Sequence, residues 1–347
     1  MKNSNIKICN EVIHPGERLS FALPLPELFS CAPLYMPIKV IHGKSAGPCL
    51  LIIAAMHGNE LNGTEIINRL LEVSSLSKLK GTLIVVPVLN VYGLINRSRD
   101  MPGGIHLNSC FPGSKSGNHA ARTAHLFTNE IFNHADYCID LQTGTMNHSN
   151  LPHIYVSFND EKATKLAETF QAPVISHTAC EKGMLRTLAF KKEKPYFIYE
   201  AGEAMRFDDH AIKVGVRGIM NVMRKLEMLP SRTQKKESQL KTFTSNKNMW
   251  VRASTSGISH SKNKLGQYVK KGEVLCVIKD PFGAAEDVKI LCPEEAIIVG
   301  KNNLPLVHEG ESLFQLAVFP KMKNAADHLE DWKEISEEHL KNSEPPQ

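Results

Sequence analysis

His57 and Glu60 stand three residues apart, just after the apolar run Leu50-Leu-Ile-Ile-Ala-Ala-Met56. An imidazole and a carboxylate form a nitrogen–oxygen donor pair of borderline softness, which suits a catalytic zinc ion. The run before them follows Pro48 and is too short to span a membrane; it reads as a strand buried on both faces of a parallel sheet. Ligands bind beyond the carboxyl ends of such strands. A loop carrying these two residue types by chance is the ordinary alternative, since short spacings recur often. Two further apolar runs end in the same way. Tyr137-Cys-Ile leads into Asp140 and Gln142, and Pro195-Tyr-Phe-Ile-Tyr leads into Glu200 and Glu203. If these strand ends meet, they supply an imidazole, several carboxylates and an amide, enough to bind a cation and move a proton.

The elements that must position these groups can be read from periodicity. A helical pattern runs from Thr64, a candidate N-cap, to about Lys78, with Ile66, Ile67, Leu70 and Leu71 on one face. Gly81 restarts a strand over 82–90, completing a βαβ unit. Residues 91–117 are rich in Gly and Pro and carry Arg97, Arg99, His106 and Asn108; a loop of this length is usually functional or disordered. Helical patterns follow over 118–134, 160–171 and 208–229, alternating with strands over 137–141, 152–158, 173–177 and 195–203. This alternation predicts an α/β domain with a mostly parallel or mixed sheet flanked by helices.

Residues 236–248 are polar and read as a linker, after which the texture changes. Short apolar runs separated by turn signals over 249–320 predict a small all-β C-terminal domain. Its Gly266–Leu275 stretch is similar to the hairpin of lipoyl-like barrel-sandwich modules, without a carrier lysine at the tip. The charged tail over 321–347 reads as a solvated helix followed by disorder.

Two domains suit a chain of 347 residues, and 42% hydrophobic residues suffice for a sizeable core. The net charge of +5 arises from 41 basic and 36 acidic residues, with no dense basic block interleaved with aromatics, so nucleic acid is not the expected partner. None of the eight cysteines forms a CxxC pair, which argues against a structural zinc knuckle and fits a reduced, cytoplasmic setting. The first 20 residues lack a signal-peptide layout, and four prolines break the apolar stretch over 21–40, so no membrane anchor is expected.

The ordered motifs His57-Gly-Asn-Glu60, Asn90-Val-Tyr-Gly93, Ser98-Arg99, Leu107-Asn108, Cys110-Phe-Pro-Gly113, Asp140-Leu-Gln-Thr-Gly144, Asn150-Leu-Pro-His153, Glu200-Ala-Gly202 and Asp280-Pro-Phe-Gly283 resemble the succinylglutamate desuccinylase/aspartoacylase family of the zinc carboxypeptidase superfamily. The resemblance covers roughly residues 40–320. It implies a zinc-carboxypeptidase-like hydrolase domain over 1–235, one zinc ion, and a small-molecule amide as substrate. It assigns His57 and Glu60 as zinc ligands, Glu200 as the catalytic proton carrier, Arg99 as the group that holds the oxyanion or acyl part, and Asn108 as a substrate-pocket residue. Relatives often associate, so a homo-oligomer is possible.

Three departures stand out. The family's third zinc ligand is a histidine where this chain has Gln142, and an amide oxygen is a poorer zinc ligand than imidazole. The family's Asp-Leu-Asn-Arg reads His106-Leu-Asn-Ser109, so the substrate-facing position 109 holds a serine, which cannot grip a carboxylate bidentately. Two main readings stay open. One is a working zinc deacylase of altered specificity, acting on a small N-acyl amino acid or related amide, with its site completed by Gln142 or by a relocated histidine: His106, His148 or His153. The other is a weakened or inactive homologue that binds or regulates through the old pocket. An interaction role for the C-terminal module is a third, with only the module's presence to favour it.

Overall fold

A computed structural model describes residues 2–29, 32–231 and 242–341. A large mixed sheet runs through the molecule. From one edge its main path takes Lys247–Arg252, Ser312–Val318, Ala296–Asn302, His148–Ser157, Tyr196–Glu203, Tyr137–Gly144, Ser45–Ala54, Lys80–Val86, Tyr35–His42 and Arg18–Pro24. The central pairings, Ser45–Ala54 with both Lys80–Val86 and Tyr137–Gly144, and Tyr137–Gly144 with Tyr196–Glu203, are parallel. Their carboxyl ends therefore meet at one edge.

The run at 50–54 does what a doubly covered strand must. Leu50, Ile52 and Ala54 pack with the helices Asn62–Leu71, Glu161–Phe170 and Asp209–Lys225. Leu51 and Ile53 pack on the other face, with His119–Glu130, Leu185–Lys191 and the N-terminal strands. An α/β architecture followed by an all-β region is thus the fold, as the alternating pattern predicted. Thr64 differs from expectation: the helix begins earlier, at Asn62, and the Thr64 hydroxyl donates to the Pro87 carbonyl at 2.9 Å instead of capping.

The first part of the stretch expected to link two domains, 236–241, falls outside the described residues, but 242–248 does not. Phe243–Ser245 is a strand parallel to Val174–Thr178, and Lys247 already begins the next strand. The C-terminal region also joins the main sheet, because Ala296–Asn302 pairs antiparallel with His148–Ser157. A four-stranded sheet, Val288–Leu291, Val274–Lys279, Gly257–His260 and Leu306–Val307, completes it. Among the described residues no helix is long and apolar enough to cross a membrane.

The tail is the clearest difference. Met322–Lys341 is a helix whose Met322, Ala325, Leu329 and Trp332 are buried. That spacing of three and four residues is one helical stripe, and the surrounding charges masked it in the sequence. Trp332 joins the core under the Asp209–Lys225 helix, and its indole N–H donates to the Gln171 carbonyl at 3.2 Å. Trp332→Ala should therefore lower stability by about 3–5 kcal/mol in urea denaturation. A loss below about 1 kcal/mol, the size of an ordinary surface substitution, would show the helix to be only a solvated appendage.

Candidate active site

The chain turns sharply where the first buried strand ends. Ala55 adopts φ 49°, an uncommon conformation for a residue with a side chain, and delivers His57 and Glu60 to the sheet edge. Gly58 is required there, since a Cβ at this position would lie 2.0 Å from the backbone of Gly93. This close approach locks the His57-Gly-Asn-Glu60 and Asn90-Val-Tyr-Gly93 motifs together. Asn90 caps the helix Val91–Asn96 by accepting from the Gly93 N–H, and its amide donates to the Arg99 carbonyl at 3.2 Å. Arg99 is thereby fixed over the site.

His57 and Glu60 are both buried, with His57 Nδ1 2.7 Å from Glu60 Oε1. An Arg99 Nη1 donates to the same Glu60 oxygen at 3.2 Å. Asp140 Oδ2 accepts from Tyr196 at 2.6 Å and from the Gln142 amide at 2.8 Å. Glu200 lies in register with Gln142 on the neighbouring strand. It accepts from the Asn150 side-chain amide, and His153 Nε2 is 4.0 Å away. The Tyr196–Glu203 strand is irregular beyond Glu200, and Gly202, at φ 74°, packs where a Cβ would meet Asn62. Such an irregularity re-aims side chains at a strand end.

Burial dominates the electrostatics. It pushes the carboxyls of Glu60 and Glu200 up to about 8, with Arg99 opposing in both cases and the Glu60 charge adding to the rise at Glu200. It raises Asp140 to about 6, against the bonds from Tyr196 and Gln142. It holds His57 down to about 3 and His153 to about 4, so both are neutral imidazoles near neutral pH.

The other residues singled out in the sequence fall into place differently. His106 stacks on His57, ring centroids 4.9 Å apart and planes 18° apart, with its Nδ1 3.0 Å from Asp100 Oδ1. Asn108 is buried and its Oδ1 accepts from the Leu185 N–H at 3.2 Å, tying the loop to the Leu185–Lys191 helix. Ser109 is exposed, and its hydroxyl is spent on the His106 carbonyl at 2.7 Å. His148 lies at the joint with the C-terminal strands, 3.3 Å from the Ser312 carbonyl and edge-on to Trp250. His153 bonds the Leu151 carbonyl at 2.7 Å through Nδ1, so it serves the strand locally.

The sequence gives no role to three residues that matter here. Tyr196 looked like core. Asn150 is the partner of Glu200. Arg186 lies buried in the Leu185–Lys191 helix, its Nη2 on the Ala179 carbonyl at 2.8 Å and its Nε without a partner. No carboxylate among the described residues pairs with it, and Tyr155 and Tyr196 both feel its charge. A lone arginine between Leu185 and Leu188 was the signal available.

The donor chemistry fits a borderline divalent cation, though incompletely. His57 Nε2 and Glu60 Oε2 are buried without hydrogen-bond partners, and so is Asp140 Oδ1. Buried polar atoms left this way cost free energy unless a ligand, ion or water satisfies them. Against this, among the described residues no three His, Cys, Asp or Glu side chains already surround one point.

The chain has relatives among known proteins. Its sheet edge, carrying a His–Glu pair, a second-strand Asp and a third-strand Glu, defines an α/β domain with one composite strand-end site. Residues 46–226 match the succinylglutamate desuccinylase/aspartoacylase catalytic domain, and the chain belongs to that family. It is 23% identical over 255 residues to N-alpha-acetyl-L-2,4-diaminobutyric acid deacetylase of Halomonas elongata, covering 71% of this chain and 74% of that protein. Its fold is similar to the succinylglutamate desuccinylase/aspartoacylase of Rhodobacter sphaeroides, with TM-score 0.77, 20% identity, and coverage of 87% and 96% of the two chains. It is equally similar to the product-bound ectoine utilization protein EutE (DoeB) of Ruegeria pomeroyi, with TM-score 0.77, 23% identity, and coverage of 86% and 95%.

These electrostatics set how stability depends on pH in chelator-treated protein. Glu60 and Glu200 have folded pKa values above their ordinary 4.5, so their contribution is full below that value and lost as pH rises toward 8. His57 and His153 have values below their ordinary 6.5, so theirs is full above it and lost as pH falls toward 3–4. The metal-free protein should melt highest between about pH 4.5 and 6.5 and lose on the order of a few kcal/mol by pH 8, with Glu200→Gln removing part of that alkaline loss. Thermal melts across pH check this; melting temperatures that climb steadily from pH 5 to 8 would contradict it.

Proposed function

We propose that this chain is a zinc-dependent amidohydrolase that removes the acyl group from a small N-acyl amino acid. The observation that carries the reading is the gathering of His57, Glu60, Asp140 and Glu200 at one sheet edge, with buried, unpartnered atoms on three of the four residues. The match to a family that includes deacylases by name, and the likeness to a relative named as a deacetylase, support the reaction class.

In this reading His57, Glu60 and a third donor hold one zinc ion, which when bound acidifies its water and polarises the acyl carbonyl. Glu200, oriented by the amide of Asn150, takes a proton from the attacking water. The water oxygen bonds to the acyl carbon, the C–N bond breaks, and Glu200 passes the proton to the departing amine. Arg99 provides a fixed cation beside the charge that develops on the acyl oxygen. Arg186, buried with no carboxylate partner among the described residues, receives the substrate's carboxylate, the task that Ser109 cannot perform. The partner is thus a small molecule, not a nucleic acid or a membrane.

A second reading, a pocket that binds without turnover, is favoured by Gln142, whose amide is committed to Asp140 at 2.8 Å. Protein purified without chelator and assayed on N-acetyl and N-succinyl amino acids separates the two. The first reading predicts near-stoichiometric zinc and hydrolysis, with Glu200→Gln lowering kcat by about 10²–10⁴-fold. Arg186→Ala should raise KM for substrates bearing the carboxylate and leave KM for the matching N-acyl amines unchanged. Zinc below about a tenth of an equivalent, with no hydrolysis of the panel, would establish the second reading instead.

A further inference from the structure

Resting on the metal reading above, we propose that His106, not Gln142, supplies the third protein ligand, with Asp100 as its orienting carboxylate. The two candidates differ in what their polar atoms already do. Gln142 spends its amide N–H on Asp140, which leaves only a neutral carbonyl oxygen to offer. His106 is poised differently. Its ring lies 4.9 Å from that of His57, centroid to centroid. Its Nδ1 faces the Asp100 carboxylate at 3.0 Å, and its Nε2 bonds no described residue. A donor hydrogen on Nδ1 leaves the lone pair on Nε2. A carboxylate behind one ring nitrogen is the usual arrangement of metal-ligating histidines, because it fixes the tautomer and raises the basicity of the other nitrogen.

The backbone is built to hold this residue in place. The Met101 N–H donates to the Ile105 carbonyl at 2.9 Å, closing a turn through Gly103 and Gly104, both at positive φ. The His106 carbonyl then accepts from the Ser109 hydroxyl at 2.7 Å and from the Ser109 N–H at 3.1 Å. These bonds tie the backbone, while the side chain bonds only Asp100 among the described residues. It needs to move, because near-parallel rings do not aim two lone pairs at one point. His106 and Asp100 are each about one-third exposed in their side chains, which leaves room for the ring to turn toward a cation seated on His57 and Glu60. The resulting set of two imidazoles and one carboxylate, with an open position for water, is an established one for catalytic zinc. The imidazole absent at 142 is in effect regained at 106.

Zinc titration of chelator-stripped protein by calorimetry tests this without reference to turnover. His106→Ala and His106→Gln should each weaken zinc by about 100-fold or more, and Asp100→Asn by about 10–100-fold, while Gln142→Ala should weaken it by less than either His106 variant. Melting temperatures of the metal-free variants confirm folding. Imidazole ¹⁵N spectra of the wild type should show Nε2 of His106 shifting to a metal-bound position on zinc addition. If zinc binds the wild type but the His106 variants keep its affinity and Gln142→Ala loses it, His106 is not the ligand and the metal reading survives. If the wild type binds no zinc, both fall.

Discussion

Three carboxyl groups, Glu60, Asp140 and Glu200, are gathered where water is largely excluded; Glu60 raises the pKa of Asp140, and both raise that of Glu200. Like charges in a low-dielectric site repel strongly, and burial alone already disfavours their ionised forms. Arg99 offsets part of this by bonding Glu60, but one partly exposed guanidinium cannot neutralise three carboxylates. Tyr196 and Gln142 stabilise one oxygen of Asp140 and leave the other without a partner. The fold accepts this arrangement because the parallel strands that carry these groups are anchored on both faces by apolar packing. The stability of the sheet thus supports a site that is unfavourable by itself, and a divalent cation would relieve it.

The same logic explains why distant motifs depend on one another. The backbone of Gly93 presses on Gly58, Asn90 grips the carbonyl of Arg99, and Asn108 holds the start of the helix that carries Arg186. On the far side, Asn150 bonds Glu200 and faces Gly300 in register, where a Cβ would come within 2.7 Å of the Asn150 oxygen. Asn303, just past the same strand, donates to Glu203 at 2.8 Å and to Ser149. The C-terminal region therefore buttresses the strand that carries Glu200, and is not simply appended to it.

Much of this was legible in the sequence, for a physical reason. Strands buried on both faces read as unbroken apolar runs, and an abrupt change to His, Asp or Glu marks their functional ends. His57, Glu60, Asp140, Gln142 and Glu200 were found in this way. Other features depend on contacts far apart in the chain, which periodicity does not encode. The pairing of Ala296–Asn302 with His148–Ser157 turned an expected separate module into an extension of the main sheet. Trp332 was hidden among charges, and Tyr196 and Arg186 read as members of apolar segments, although Tyr196 donates to Asp140 and Arg186 to the Ala179 carbonyl. The resemblance puts Ser109 where the family has an arginine, and the fold shows that its hydroxyl turns back to its own loop.

The proposed zinc ion would sit between His57 and Glu60, at the sheet edge where the buried carboxyl groups gather. Zinc K-edge X-ray absorption on protein loaded with one equivalent of zinc addresses this placement most directly. The account predicts low-coordinate zinc with nitrogen and oxygen neighbours at about 2.0–2.1 Å, imidazole scattering, and loss of part of that scattering in His57→Ala. A spectrum of loosely bound, water-coordinated zinc that does not change in His57→Ala would contradict it.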